Sequence, residues 1–272
     1  MKNALLLMIV LMCLNIYSQK KHIDILSSID EKQMKYESIA KSIWNLAEMG
    51  YQENESSEIL QKILKEEGFV IEKGVAEIPT AFVASFGTGS PEIGVLGEYD
   101  ALPGLSQQAK PYKISNNGKA GHACGHHLFG TASAAAAIAI KEYLIKNKKS
   151  GTIKFFGCPA EEGGSGKVYM TKAGLFDDLD VALHWHPSSI NAASPKPALA
   201  NKSAKFRFYG VSAHAAAAPE KGRSALDAIE AMNSMVNMMR EHVDQSTRIH
   251  YVITRGGEAP NVVPAFAEVY YY

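Results

Sequence analysis

Three short apolar segments, each followed by a loop rich in small and polar residues, constrain the fold of this chain most strongly. They cover residues 93–97, 152–158 and 181–185, and each has the length and residue types of a buried strand. Helical periodicity lies between them, most clearly in the alanine-rich segment 125–146. Strands that alternate with helices indicate an α/β layer fold with a mostly parallel sheet.

A change of composition divides the chain. Residues 188–200 are rich in Pro, Ser, Ala and Asn and lack helical periodicity, which indicates a linker or a domain crossing. Beyond it the pattern is strand, helix, strand, strand. We therefore place one domain at residues 19–195 and a smaller one at residues 196–272. The final AEVYYY has no turn after it, so we expect this second domain to be truncated, although a terminal strand paired in a sheet gives the same pattern.

The first residues have the pattern of a secretory signal peptide. Lys2 precedes an apolar run at residues 4–14, and small or polar residues follow as far as Ser18. The run is shorter than the ~20 residues of a spanning helix. A buried N-terminal helix is the alternative. We predict a signal peptide at residues 1–18 and export to the periplasm or the cell exterior.

The charge balance excludes two classes of partner. The chain has 28 basic and 28 acidic residues and a formal net charge of zero, which argues against broad binding to nucleic acid or to acidic membranes. The alanine-rich segment 125–146 suits a packed helix better than a membrane span. We predict no nucleic-acid partner and no membrane partner. Three cysteines are too few for a disulfide scaffold.

Side chains that bind metals concentrate in three motifs, of which the first lies in the loop before the alanine-rich helix and the other two lie at or just after the ends of predicted strands. The motifs are GHACGHH, with His122, Cys124, His126 and His127; PAEEGG, with Glu161 and Glu162; and LHWHP, with His184 and His186. A further acidic pair, Glu98 and Asp100, follows the strand at residues 93–97. Ligand sites in open α/β sheets form at the carboxyl ends of strands, so we expect these segments to converge. Such side chains suit zinc or a similar divalent ion.

Each motif also has a simpler interpretation. Cys124 pairs equally well with Cys158 in a disulfide if the compartment is oxidising. A Glu-Glu pair is often a solvated turn, and a strand histidine such as His184 is often a core residue. The conjunction of the three motifs favours a metal site. Of two adjacent carboxylates, one can bind metal while the other takes a proton from water.

In combination the motifs resemble those of the M20 metallopeptidase family, and within it the amidohydrolase branch, subfamily D. LGEYDALPGLSQ, FYGVSAHAAAAPEKGRSALDAIEAMN and GGEAPNVVPAFAEVYYY extend the resemblance over residues 38–272. The resemblance implies a zinc-peptidase-like α/β catalytic domain, incomplete here, with an inserted α+β lid or dimerisation domain. It also implies that residues beyond Tyr272 would supply one more histidine ligand and the rest of the sheet.

The resemblance implies a role for each motif residue. The implied metal ligands are Cys124 (a thiolate that bridges two ions), His126, Glu162 and His184, with His186 as a structural neighbour. Glu161 matches the general base, and Asp100 matches the acid that orients a ligand histidine. In the lid, His214 matches a residue that stabilises the oxyanion, in dimeric relatives within the partner's active site, and Asn261 matches a substrate contact.

The implied activity is that of a metal-dependent amidohydrolase that cleaves the amide bond of N-acyl amino acids, with p-aminobenzoyl-glutamate-like substrates favoured. The implied cofactor is a pair of divalent ions, Mn²⁺ or Zn²⁺. The implied partner is a second copy of the chain through the lid, or a heteromeric subunit. The alternative is a non-catalytic dimerisation or ligand-binding remnant. A zinc nucleobase deaminase is disfavoured, since its H-x-E and P-C-x-x-C motifs are absent from the sequence.

Overall fold

The computed structural model describes residues 25–193 and 197–272. These residues form two compact units, the first ending at Asn191 and the second beginning at Ala192. The sequence pattern placed the boundary four residues later, between residues 195 and 196. The predicted signal peptide at residues 1–18 lies outside the described residues.

The first unit alternates helices and strands. A helical stretch at residues 25–31 precedes five helices: α1 Gln33–Leu46, α2 Asn54–Glu66, α3 His126–Lys146, α4 Glu161–Gly164 and α5 Gly166–Lys172. The main strands are β1 Val70–Lys73, β2 Phe82–Thr88, β3 Glu92–Gly97, β6 Gly151–Gly157 and β7 Val181–Leu183. Two short strands, β4 Leu102–Pro103 and β5 Ala120–Gly121, pair with each other in the loop between β3 and α3.

The five main strands form one sheet in the order β1-β2-β6-β3-β7. Strand β3 pairs in parallel with β6 and with β7, whereas β2 pairs antiparallel with β6 and with β1. The predicted α/β class is therefore confirmed, and the sheet is mixed. Strand β1 was not predicted, because its sequence VIEK is short, polar and mostly exposed. Its pairing with β2 depends on tertiary contacts that a local pattern does not carry.

Side chains of β6 point alternately into two hydrophobic cores on opposite faces of the sheet. Phe155 belongs to a core that helices α1, α2 and α3 cover, with Ile43, Leu60 and Ile138 among its members. The next residue, Phe156, points to the other face of the sheet and packs in a second core. Side chains at successive strand positions point to opposite faces, so one apolar run supplies both cores.

Two glycines, Gly97 and Gly130, allow helix α3 to pack closely against the end of β3. A Cβ at Gly130 would lie 2.6 Å from the carbonyl oxygen of Glu98, and a Cβ at Gly97 would lie 3.2 Å from the Cα of Gly130. Among the described residues, α3 is long and apolar enough to cross a membrane, but 56% of its most apolar window is buried within the fold. It is placed as a core helix is, with its N-terminus beside the end of β3.

The second unit packs one helix on a three-stranded sheet. Strands β8 Ala204–Tyr209, β9 Tyr251–Arg255 and β10 Phe266–Tyr271 pair antiparallel in the order β8-β10-β9. Helix α6, Ala225–Met238, buries Ile229 against Val269 of the central strand. Ser224 caps α6 by accepting the Asp227 N–H at 3.1 Å. The predicted strand, helix, strand, strand order is present.

We predict that Gly130→Ala destabilises the protein by about 1–3 kcal/mol, because the added Cβ meets a backbone carbonyl that cannot move independently of β3. At an open helical position the same change would stabilise by roughly 0.5–1 kcal/mol through helix propensity, so the sign separates the two cases. Urea unfolding measures it, with Ala132→Ser on the exposed side of α3 as the control. A stabilised Gly130→Ala protein would contradict the close approach.

Candidate metal centre

The loops that carry the candidate ligands meet at one edge of the sheet. Glu98 and Asp100 follow β3, Glu161 follows β6 and His184 follows β7. Because β6, β3 and β7 are adjacent and parallel, their carboxyl ends lie side by side. The close approach of α3 to β3 adds His126, the first residue of the helix. The expected convergence is thus present in the structure.

The carboxylate of Asp100 holds two of these loops together. Its Oδ1 lies 2.8 Å from Nδ1 of His126, and its Oδ2 accepts the backbone N–H of Glu162 at 2.8 Å. Asp100 and His126 are both buried. The Nδ1 contact directs the other ring nitrogen of His126, Nε2, into the space between the loops. This geometry matches the orienting role that the resemblance implied for Asp100.

Carboxylates surround Nε2 of His126. The nitrogen lies 3.0 Å from Oε2 of Glu98, 3.9 Å from Oε2 of Glu161 and 4.0 Å from Oε1 of Glu162. Burial opposes protonation of this histidine, but Asp100 and Glu98 raise the pKa of His126 to about 10. The site therefore favours a positive charge at its centre, which either a proton or a metal cation provides.

Three buried atoms of this cluster make no well-aligned hydrogen bond among the described residues, although two of them, Nε2 of His126 and Oε2 of Glu98, lie 3.0 Å apart. They are Nε2 of His126, Oε2 of Glu98 and Oε1 of Glu162. Buried polar atoms are normally satisfied, and unsatisfied ones indicate an unseen ligand or ion. One nitrogen and two carboxylate oxygens that face a common space are a donor set for a divalent cation. Glu98, His126 and Glu161 have the spacing of a metal-binding group, with their ligand atoms within 4.8 Å of one another.

Cys124 forms a second group with the spacing of a metal site. One ligand atom from each of Cys124, His126 and His186 lies within 4.8 Å of the others, and the Cys124 Sγ is 3.4 Å from Nε2 of His186. Burial and the nearby Glu162 raise the pKa of the Cys124 thiol to about 12. Cys124 and Cys158 are both free thiols, so the alternative disulfide between them is not formed.

The two histidines of LHWHP occupy different positions. His184 is half exposed, and its Nε2 lies 3.8 Å from Oε1 of Glu98. His186, expected to be a structural neighbour or to support a ligand, lies beside Cys124. The ligand roles of His184, Glu162, Cys124 and His126 stay predictions, and His186 joins them as a candidate.

Sequence reasoning gave no role to two charged residues of the site. Glu98 is buried and forms an ion pair with Lys167 of α5. Burial raises the pKa of a carboxyl group, yet His126, His184 and Lys167 hold the pKa of Glu98 well below its usual range. The acidic pair in GEYDALPG, directly after a strand, was a signal for Glu98. Lys167 had none, since a lysine in the first turn of a helix is ordinary.

Glu161 is the most accessible carboxylate of the cluster, with 45% of its side chain exposed. Partial burial and the charges of Glu98 and Glu162 raise its pKa. A carboxylate with a raised pKa at the rim of a candidate metal centre is placed to exchange protons with a bound water or substrate.

His122 and His127 lie apart from the two metal-type groups. Nε2 of His122 is 3.1 Å from the carbonyl oxygen of Ile43. The ring centroids of His122 and His127 are 5.1 Å apart. Burial lowers the pKa of each to about 4, so both are neutral near pH 7. They pack the loop that carries Cys124 against α1.

The predicted lid residues His214 and Asn261 lie together within the second unit. Ala215 donates its N–H to the carbonyl oxygen of Asn261 at 3.1 Å. Nδ1 of the exposed His214 lies 3.2 Å from the backbone N–H groups of Ala216 and Ala217 and accepts from both. In neutral imidazole the proton is then on Nε2, which can donate to an anionic oxygen.

Curated proteins with similar sequences include a hydrolase subunit and a dipeptidase. The chain is 48% identical to a p-aminobenzoyl-glutamate hydrolase subunit of Escherichia coli, over 90% of this chain and 51% of that protein. It is 32% identical to a human Xaa-Arg dipeptidase, over 90% of this chain and 56% of the relative. The chain thus spans about half the length of the curated relatives it matches.

Solved structures share the fold. An aminobenzoyl-glutamate utilization protein from Klebsiella pneumoniae matches with a TM-score of 0.55 and 19% identity, over 91% of this chain and 68% of that one. A dinuclear metal-binding peptidase of the M20 family from Bacillus subtilis matches with a TM-score of 0.52 and 21% identity, over 88% and 64% of the two chains.

The family follows from a match that spans both units. Residues 94–264 match the sequence profile of peptidase family M20/M25/M40. The match begins within β3 and ends just after Asn261. This range contains every residue that the motifs assigned to chemistry. The chain belongs to peptidase family M20/M25/M40.

Proposed function

We propose that the protein is a metal-dependent amidohydrolase that cleaves the amide bond of N-acyl amino acids, with p-aminobenzoyl-glutamate-like substrates favoured. The observation that carries the proposal is the buried Nε2 of His126, which is enclosed by the carboxylates of Glu98, Glu161 and Glu162, with Glu161 accessible to solvent. The substrate preference is supported by the 48% identity to the E. coli hydrolase.

A divalent cation bound at this centre would polarise the substrate carbonyl and lower the pKa of a bound water. His126, Cys124 and Glu162 would hold it, with Glu98, His184 and His186 as further donors at the same edge. Thiolate and imidazole suit Zn²⁺, and the carboxylates also admit Mn²⁺. A second ion is supported by the dinuclear relative from B. subtilis, whereas the two metal-type groups share His126, whose Nε2 can bind only one ion.

Three residues of the chain would transfer the proton, orient His126 and stabilise the oxyanion. Glu161 takes a proton from the attacking water and passes it to the leaving amine, a role that its exposure and raised pKa suit. Asp100 keeps His126 in the orientation that directs Nε2 inward. His214 donates from Nε2 to the oxyanion that forms at the carbonyl oxygen.

For the assembly we propose a homodimer through the second unit, with His214 acting in the site of the partner and Asn261 contacting substrate. A heteromeric partner is the other arrangement, supported by the name of the E. coli relative, which is one subunit of its enzyme. We also propose that the protein is exported, from the leader pattern in residues 1–18.

Replacing the base tests the reaction. We expect Glu161→Gln to reduce kcat for glutamate release from p-aminobenzoyl-glutamate by about 10²–10⁴-fold, the range for loss of a general base. The assay uses the full-length protein with added Mn²⁺ or Zn²⁺. Glu58→Gln, on the exposed side of α2, is the matched control and should leave kcat unchanged. Equal activity of Glu161→Gln and the unaltered protein would exclude Glu161 as the base.

Metal binding can be tested without turnover. A ligand that binds only the native state stabilises it by RT ln(1 + [L]/Kd), about 2.7 kcal/mol at 100 Kd. We expect Zn²⁺ or Mn²⁺ to stabilise the full-length protein in urea and to have a much smaller effect on His126→Ala and Cys124→Ala. A chelator should reverse the stabilisation, and His122→Ala serves as the control histidine outside the centre. Equal stabilisation of all variants would contradict the assigned ligands.

Mixing two inactive variants tests the position of His214. If His214 acts in the partner's site, a mixed dimer of Glu161→Gln and His214→Ala protomers contains one site with both native residues. We therefore expect activity to return on exchange of protomers, whereas each variant alone stays about 10²–10³-fold or more below the unaltered protein. No recovery despite mixed dimers, detected by differently tagged protomers, would place His214 in its own protomer's site or outside catalysis.

A further inference from the structure

The segment between α1 and α2, residues 49–53, lies beneath the loop that carries the two glutamates. A Cβ at Gly50 would lie 3.0 Å from the Cα of Ala160, so only a glycine allows this approach without displacement. Tyr51 donates its hydroxyl to the carbonyl oxygen of Gly164 at 2.6 Å. Glu53 accepts the N–H of Ala160 through Oε1 at 2.7 Å. The segment carries none of the sequence motifs that pointed to metal binding or catalysis.

The loop that these contacts hold begins with an unusual backbone conformation. Ala160 has φ 54° and ψ 43°, in the left-handed region, immediately before Glu161. A non-glycine residue in this region is unfavourable, because its Cβ lies too close to the following carbonyl oxygen. Such a conformation persists only when surrounding contacts hold it. At the strained residue itself, the Ala160 N–H donates to Glu53, and the Ala160 carbonyl oxygen accepts the N–H groups of Gly164 and Gly166 at 3.1 and 3.4 Å. The bond to Glu53 is the one that a side chain supplies.

Glu53 is a buried carboxylate whose two oxygens accept hydrogen bonds from different parts of the chain. Its side chain is fully buried, and its second oxygen, Oε2, accepts from the Thr80 hydroxyl at 3.2 Å. Burial raises the pKa of Glu53 to about 7, although backbone donors including the Ala160 N–H lower it. Burying a carboxylate is unfavourable unless hydrogen bonds or an opposite charge compensate for the lost water. Here both oxygens have donors, and one donor belongs to the residue before Glu161.

We propose that Glu53 is a positioning residue that fixes the left-handed turn at Ala160 and thereby the directions in which Glu161 and Glu162 point. The turn is held at its start by Glu53, at its middle by the bond from the Glu162 N–H to Asp100, and at its end by Tyr51 on Gly164. The catalytic consequence rests on the proposed function, whereas the control of the turn does not.

The test compares two substitutions of similar size in the full-length protein. Glu53→Gln keeps an oxygen acceptor for the Ala160 N–H, and Glu53→Met fills the same space with no oxygen. We expect amide hydrogen exchange at residues 160–162 to be about tenfold faster in Glu53→Met than in Glu53→Gln, because one hydrogen bond is lost. Glu58→Met, exposed on α2, should leave this exchange unchanged. If Glu53→Met does not fold, Glu53→Asp, whose shorter side chain withdraws the acceptor, replaces it.

Kinetics and metal affinity provide the second measurement. Loss of an outer residue that orients catalytic groups typically reduces activity or metal affinity 10–100-fold. We expect Glu53→Met to lower kcat or Zn²⁺ affinity by about that factor with KM nearly unchanged, and Glu53→Gln to restore most of it. Unchanged exchange in Glu53→Met would overturn the positioning role. Faster exchange in a protein without hydrolase activity would leave that role intact and reject the proposed function instead.

Discussion

The carboxylate of Asp100 is the contact on which the site depends. One oxygen lies against His126 at the start of α3, and the other accepts the N–H of Glu162 after β6. Asp100 itself follows β3. A single buried side chain therefore joins three chain segments that are distant in sequence. Without it, the histidine ring and the glutamate loop would each have to be held separately.

This contact is available only because the helix and the sheet approach closely. Gly97 at the end of β3 and Gly130 in α3 leave no room for a Cβ between them. The approach brings His126 within reach of both Glu98 and Asp100. Segment 49–53 packs on the Glu161 loop in the same way, with Gly50 against Ala160. Glycine thus sets the distances, and carboxylates then fix the orientations.

The electrostatics of the centre follow from this crowding. Glu98, Asp100, Glu161 and Glu162 surround one buried histidine, and Lys167 is the cation paired with Glu98. Carboxylates gathered at low solvent exposure repel each other unless positive charge accompanies them. Despite burial, the pKa of His126 is raised to about 10 because the neighbouring carboxylates favour its protonated, positively charged form. A divalent cation balances these negative charges better than a single proton, which connects the packing of the fold to the proposed chemistry.

Sequence by itself determined the fold class, most helices and strands, and the motifs that meet at the sheet edge, because apolar periodicity and ligand spacing are local properties. It also predicted that the segments of Asp100 and His126 converge, and the family resemblance implied that Asp100 orients a ligand histidine. Only the tertiary structure decided that the sheet is mixed, that His186 lies beside Cys124, and that Glu98 and Glu53 contact the site loops. Strand direction and side-chain neighbours depend on contacts between residues far apart in the chain, and no local pattern encodes which buried carboxylate meets which N–H.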